Sequence, residues 1–456
     1  MDHSVKTVLD SGKSDQSRFK DKKVLILGLG LNEGGVGSAK FFASRGADLI
    51  ITDLRDAKAL NPSIEKLSNF PNIKYHLGSH NNEDIDWADI IIKNQAIKPN
   101  SPYLKYAREK SKEIKTDIGT FLEYVKPSQI IGITGTKGKT TTASLIFAVL
   151  KESGKKVVLC GNIGKSVLDS INDIDDDTTV VMEISSFQLE AFDAVKVAPK
   201  YSVITNIYPD HLNYYSSMED YVQAKKLIAK HQTLEDYLFI NKQDETLTSD
   251  NFLENIKSKI VFYSPNDLPS DFSPKMEGSY NLSNIAAAFS VSKALRIEQD
   301  IILKVLEEFQ GVEFRLQLVK EWNGIRIYNN TTATAPEPAI ESLKTFPNCI
   351  LIAGGMNKGL DYKAFAEAID TYAKDVYFLD GDATTEIINY LKNSASAVTN
   401  HHEPFKNLTD LLAVVKKNVK LGDIILFSPG ATSFNLFQNE FDRGRKFNQI
   451  VEEIFE

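Results

Sequence analysis

Residues 132–142 read GITGTKGKTTT, a glycine-rich turn set between the apolar run QIIGIT and the helical run TTASLIFAVL. A strand, a tight turn and a helix in that order commit this part of the chain to an α/β sheet. The same turn suits a polyphosphate, because backbone N–H groups, the Lys139 ammonium and the N-terminus of the following helix converge on one anion site. Thr140 would then offer its hydroxyl to Mg2+. The full G-x-x-x-x-G-K-[ST] spacing is not met, since its first glycine falls on Ile133. What fits is the shorter run Gly135, Thr136, Lys137, Gly138, Lys139 and Thr140, with Thr141 behind it. A solvated Gly/Lys turn after a strand is the plain alternative.

A chain of 456 residues suggests about three domains. Hydrophobic residues make up 42% and charged residues 25%, which is the balance of an ordinary globular protein. The net charge of −8, with no long basic block, argues against a nucleic-acid or anionic-membrane partner. No apolar run is long enough to span a bilayer, and the start MDHSVKTVLDSGKSDQSRFKD lacks the apolar core of a secretory signal. A cytoplasmic protein without membrane insertion, working as a monomer, is expected. Cys160 and Cys349 end apolar strand-like runs far apart in sequence, and they read as small buried hydrophobes rather than a disulfide or metal site.

After a polar tail of about residues 1–20, the run KVLILGLGLNEGGVG opens a strand–turn–helix unit whose second strand, ADLIITD, ends at Asp53. That layout is a nucleotide-binding βαβ unit with an acidic residue placed to meet a ribose. The runs IKYHLGS and ADIIIKN extend a parallel sheet. The second segment carries the phosphate loop and then VVLCGNIG, TTVVMEISSFQLE, YSVITNIYPDH, DYLFIN and KIVFYS, with helices between them. Continuous apolar strands of this kind are buried on both faces of a central parallel sheet. A third segment repeats the alternation with IRIYNN, CILIAGG, DVYFLDG and DIILFSPG. The expected fold class is therefore α/β in three domains. A Rossmann-like N-terminal domain covers 1–114, a central P-loop ATPase-like parallel-sheet domain covers 115–310, and a C-terminal Rossmann-like domain covers 311–456.

Taken in order, GTKGKT, GNIG at 161–164, EISSFQLE at 183–190, TNIYPDHLNYY at 205–215, Tyr221-x-x-Ala-Lys225, NLSN at 281–284 and SPGATSFNLF at 428–437 resemble the Mur ligase family. The resemblance covers nearly the whole chain beyond the tail. It implies an ATP-dependent ligase that phosphorylates the carboxylate of a UDP-linked acceptor, UDP-N-acetylmuramoyl-L-alanine. The acyl phosphate is then attacked by the amino group of glutamate, in its D form, during peptidoglycan precursor synthesis. Such chemistry asks mainly for positioning and charge neutralisation.

The resemblance assigns roles by position. Lys139 would lie along the β- and γ-phosphates, and Thr140 with Glu183 would hold Mg2+ through oxygen donors. His211 would be a further metal ligand, more natural for Mn2+ than for Mg2+. Lys225 would be carbamylated by CO2, turning its charge negative to help hold a second ion; its neighbour Lys226 competes for that assignment. Asn281 and Asn284 would read an adenine and ribose edge, although N-capping of their helix is an alternative. Arg315 and Asn330 fall on the nucleotide side. Gly28, Gly30, Leu31, Asn32, Asp53 and Arg55 would hold the uridine diphosphate, and Asn162 would lie near the sugar or acceptor carboxylate. Thr334, Lys358, Ser433 and Phe441 would receive the amino acid. For Glu183, capping the helix that begins at Ser185-Ser186-Phe187 is the alternative role.

Two departures stand out. The family commonly has Asp-Ser-Lys-Ala-Thr after the first strand of its third domain, where this chain reads Asn330-Thr331-Thr332-Ala333-Thr334, losing a carboxylate and an ammonium. The usual aromatic of the amino-acid pocket falls on Glu440 in strict register, with Phe441 one residue later. Other Mur ligases and folylpolyglutamate synthases remain alternatives. So does a nicotinamide-dependent dehydrogenase, suggested by GLGLNEGGVG and Asp53, although the third glycine of G-x-G-x-x-G falls on Glu33.

Overall fold

The computed structural model describes residues 18–31, 33–95, 97–163, 166–209, 214–276, 278–357, 359–393, 403–434 and 436–456. They form two compact units. The first runs to Ser273 and takes in Tyr280–Glu307; the second comprises Pro274–Ser279 and Glu308–Glu456.

The first unit contains two sheets. Strands β1 (Lys23–Leu27), β2 (Asp48–Asp53), β3 (Lys74–Leu77), β4 (Ile90–Lys93) and β5 (Glu113–Lys115) pair in the order β3-β2-β1-β4-β5, all parallel. The expected boundary at 114 therefore falls inside β5. The strand order reverses at β1 and β4, so their carboxyl ends open the crevice where ligands of such sheets bind. Phe19 is buried at 3% exposure, edge-on to Phe42 at 4.8 Å. Residues 18–20 thus belong to the folded unit, and the rest of the expected tail lies outside the described residues.

The second sheet is built from β6 (Ile130–Thr134), β7 (Val157–Gly161), β8 (Thr179–Glu183), β9 (Tyr201–Ile204), β10 (Tyr237–Asn241) and β11 (Lys259–Tyr263), in the parallel order β11-β10-β9-β6-β8-β7. Every residue of β6 is buried, as its uninterrupted apolar run requires of a central strand. The chain leaves β6 at the point where the order reverses, so the phosphate loop sits between the carboxyl ends of β8 and β9.

The second unit holds β12 (Gln317–Trp322), β13 (Ile325–Asn329), β14 (Cys349–Gly354), β15 (Ala373–Leu379) and β16 (Ile424–Phe427), ordered β12-β13-β16-β14-β15. Four strands run parallel, but β12 is antiparallel to β13. Asn323 and Gly324, at φ 48° and 74°, make the two-residue left-handed turn that joins a twisted hairpin. This edge hairpin is an addition to the expected Rossmann-like alternation. Apolar clusters cover both faces of the sheet, with Phe365 and Ile369 on one side and Phe447 and Val451 on the other.

Both cysteines are buried and free, and burial pushes each thiol up to about 12. Among the described residues no helix is long and apolar enough to cross a membrane.

Candidate functional site

The loop after β6 keeps its shape through glycine. Gly135 and Gly138 have φ of 143° and 82°, and a Cβ on them would come within 1.9 Å of Thr205 Oγ1 and 2.2 Å of Asn284 Oδ1. The helix Lys139–Glu152 starts from Gly138 with no side-chain cap, which leaves its N-terminal N–H groups to an anion. Lys139 Nζ folds back to donate to the carbonyls of Gly135 and Thr136, at 3.0 Å each. Asn206, two residues after β9, holds the loop from outside: its Oδ1 accepts from Lys137 N at 2.8 Å, and its carbonyl accepts from Thr136 N at 2.9 Å.

Glu183 closes β8 and is 2% exposed. Its Oε2 accepts from Thr140 Oγ1 at 2.6 Å, and Oε1 accepts from Asn162 Nδ2 at 3.3 Å. The following helix, Ser186–Ala194, is capped by Ser185 and Gln188 in a reciprocal box, so Glu183 is not its cap. A buried carboxylate against a hydroxyl offers the hard oxygen donors that Mg2+ takes. His211, Asp210 and the two residues after them lie outside the described residues.

Lys225, on the helix Met218–Lys230, is 2% exposed, with Nζ donating to Gly135 O at 2.8 Å and lying 4.6 Å from the centre of the Tyr221 ring. The Tyr221 hydroxyl lies 3.1 Å from Thr136 Oγ1. Lys226 points elsewhere, bonding to the carbonyls of Asn251 and Glu254 at the surface. Of the two lysines, Lys225 is the one beside the phosphate loop.

Asn281 and Asn284 lie inside the helix Ser279–Ala294 and are both buried at 4%. Asn284 Oδ1 accepts from Thr142 Oγ1 at 3.3 Å, and its Nδ2 donates to Asn281 Oδ1 at 3.4 Å. Asn284 backs the phosphate loop at Gly138, and Asn281 accepts its amide hydrogen bond. Thr141 is half-buried on the first turn behind that loop.

At the carboxyl edge of the first sheet, Gly28 and Gly30 take φ of 89° and 69°. Asp53 is buried, with Oδ2 accepting from Gly30 N and Oδ1 from Arg55 N, each at 2.9 Å. The carboxylate expected to meet a ribose thus also fixes the glycine turn. Leu31 and Arg55 are exposed, Asn94 Nδ2 donates to Gly28 O at 3.1 Å, and Asn32 lies outside the described residues.

In the second unit, Asn330, Thr334 and Ser433 follow the carboxyl ends of β13 and β16. Asn330 is engaged within the unit, with Oδ1 accepting from Leu316 N at 3.3 Å and Nδ2 donating to Ser428 Oγ at 3.1 Å. Ser433 is 2% exposed and its hydroxyl has no hydrogen-bond partner. Met356 and Thr432 exchange backbone hydrogen bonds of 3.0 and 3.1 Å, which brings the segment entering position 358 alongside Ser433. Lys358 itself lies outside the described residues. Phe441 is 38% exposed, its ring 6.2 Å from that of Phe314, and Arg315 is exposed. Sequence reasoning gave no role to Asn206, Tyr221 or Arg443. The first two stand in quoted motifs directly after a strand and one helical turn before Lys225, and Arg443 had no local signal.

The chain matches two family descriptions: Mur ligase MurD-like, N-terminal domain, over residues 22–116, and Mur ligase middle domain, over 133–283. It is 36% identical to the UDP-N-acetylmuramoylalanine--D-glutamate ligase of Roseiflexus sp., covering 94% of this chain and 98% of that protein. It is 38% identical to the protein of the same name from Borreliella burgdorferi, covering 96% and 99%. Among solved structures, the UDP-N-acetylmuramate-alanine ligase of Thermotoga maritima superposes with a TM-score of 0.58 at 20% identity, covering 94% of this chain and 99% of that one. The MurD-like match of the N-terminal segment sets aside the dehydrogenase and folate-ligase alternatives.

Proposed function

The chain belongs to the Mur ligase family, and we propose that it joins D-glutamate to UDP-N-acetylmuramoyl-L-alanine in peptidoglycan precursor synthesis. The observation that carries this reading is the full-length likeness to relatives named for that reaction. The protein is an ATP-dependent ligase forming a C–N bond.

In the first step an oxygen of the alanyl carboxylate attacks the γ-phosphorus of ATP, and the bond to the bridging oxygen breaks, giving ADP and an acyl phosphate. Lys139, close to its loop carbonyls here, would exchange them for the β- and γ-phosphate oxygens. The uncapped helix start and the loop N–H groups would orient the same phosphates. Mg2+ held by Thr140 and Glu183 would neutralise phosphate charge, with His211 and Lys225 serving a second ion and Mn2+ able to substitute. Carbamylation of Lys225 joins its amine nitrogen to the carbon of CO2 with loss of a proton. The product keeps one N–H, which Gly135 O is placed to accept.

Asn281 and Asn284 would read the adenosine side, whereas Gly30, Leu31, Asn32, Asp53, Arg55 and Asn162 would serve the UDP-sugar. In the second step glutamate, held by Thr334, Lys358, Ser433 and Phe441, attacks the acyl carbon through its amine. The bond from that carbon to the phosphate oxygen breaks, phosphate leaves, the nitrogen gives up a proton and an amide forms. The protein would act as a cytoplasmic monomer.

Phosphate release measured with UDP-N-acetylmuramoyl-L-alanine and each amino acid in turn tests the reading. Release should require Mg2+ and acceptor, and ligation should require D-glutamate. Lys139→Ala should abolish both. Turnover without acceptor, or preference for a different amino acid, would count against it.

A further inference from the structure

The helix Glu440–Ile454 buries one charged side chain completely, that of Arg443. Its Nε donates to Thr331 Oγ1 at 2.9 Å, Nη2 to Thr331 O at 2.8 Å and Nη1 to Ala431 O at 3.1 Å. All three acceptors are neutral. Burial pushes the guanidinium down to about 9, opposed by the field of Glu440, as expected for a cation whose hydrogen bonds do not include a carboxylate.

What this cation ties together is specific. Thr331 belongs to the segment 330–334 that follows β13, and Ala431 to the turn 428–433 that follows β16. Thr331 is pinned from other sides as well, its N–H by Asn329 Oδ1 at 3.0 Å and its hydroxyl by Glu440 O at 3.2 Å. Gly444 lets the helix close on them, since a Cβ there would come within 2.7 Å of Thr331 and 2.6 Å of Phe314. The same two segments carry Thr334 and Ser433, and the Ser433 hydroxyl is buried without a partner.

We propose that Arg443 is the positioning residue of the amino-acid subsite. It fixes the spacing of Thr334 and Ser433 and supplies from beneath the positive potential that an anionic, dicarboxylic amino acid requires. This rests on the reading that the second unit receives the glutamate. The family's carboxylate and ammonium at positions 330 and 332 are both replaced by neutral side chains here, and the buried guanidinium is a cation hydrogen-bonded to that segment.

Kinetics of the full chain with ATP, Mg2+ and UDP-N-acetylmuramoyl-L-alanine test it. Arg443→Met removes the charge and all three bonds, so the KM for D-glutamate should rise about tenfold or more while that for ATP stays within about twofold. Its preference for D-glutamate over D-glutamine should shrink. Arg443→Lys keeps the charge but loses the planar fork; its KM for D-glutamate should rise less, with the preference retained. If the methionine variant does not fold, the lysine variant and Thr331→Val carry the test, each expected to raise the D-glutamate KM alone. An unchanged D-glutamate KM in these variants, or a rise shared equally with ATP, overturns the inference. A wild-type enzyme with no preference for glutamate would sink the parent reading, and this one with it.

Discussion

The Thr140 hydroxyl donates a 2.6 Å hydrogen bond to Glu183 Oε2, joining the helix behind the phosphate loop to the end of β8 across 43 residues of sequence. Two oxygens that a metal ion would use are thus held together by the fold itself. A site preorganised in this way has less ordering to do when nucleotide and ion arrive.

Glu183→Gln keeps the shape and removes the charge, so kcat should fall by at least about tenfold and the Mg2+ concentration for half-activity should rise. Thr140→Ser, which keeps the hydroxyl, should stay much closer to wild type than Thr140→Val. Titrating Mg2+ at saturating ATP separates the variants; an unaltered Mg2+ response in Glu183→Gln would remove this carboxylate from the metal site.

For Lys225 the expected role depends on a negative charge that an unmodified lysine cannot supply. Activity should fall sharply in Lys225→Ala and stay low in Lys225→Arg, because a guanidinium does not form the carbamate. Acetate should partly restore the alanine variant by standing in for the lost anion. Near wild-type turnover by Lys225→Arg would exclude carbamylation.

Lys358 is expected to meet the side-chain carboxylate of glutamate. Lys358→Ala should then raise the amino-acid KM much more than the KM for ATP, since binding energy is lost toward one substrate only. The effect should be smaller for glutamine than for glutamate. Equal discrimination between the two in variant and wild type would assign the carboxylate to another residue.

Asp117, buried at the start of the helix Asp117–Phe121, accepts from Ile118 N at 2.8 Å and Gln95 Nε2 at 3.3 Å. Burial raises its carboxyl above the usual range despite these bonds. A group with a raised folded value contributes stability that is present below its unfolded pKa, about 4, and lost as pH rises through the folded value. Asp117→Asn removes that loss. The variant should therefore gain in Tm relative to wild type between pH 4.5 and pH 8, by roughly 2–4 °C for each kcal/mol involved. Thermal unfolding at the two pH values checks it, and a constant difference would show that Asp117 ionises freely.

Much of the fold was legible because buried parallel strands write themselves as uninterrupted apolar runs: IIGIT, TVVME, YSVI and CILIAG all became strands. The antiparallel β12 was not, because QLVKEW mixes polar and apolar residues at an edge, and Asn323-Gly324 went unread as a hairpin turn. The phosphate loop was legible from glycine spacing. The burial of Lys225 and Arg443 was not, since each depends on a partner 90 or more residues away, Gly135 for Lys225 and Thr331 for Arg443, and no local periodicity encodes such a contact. Asp53 was read as a ribose ligand from its strand end, whereas its hold on Gly30 depends on the pairing of β2 with β1.

The close fit of Gly138 to Asn284 also governs the order in which competence is acquired during synthesis. A ribosome releases the lysine and threonine of the loop some 140 residues before the amide that backs them. A nascent chain stopped short of residue 284 would carry the phosphate-binding signature with its rear wall missing. The helix that supports the loop, Ser279–Ala294, is translated after all six strands of its sheet.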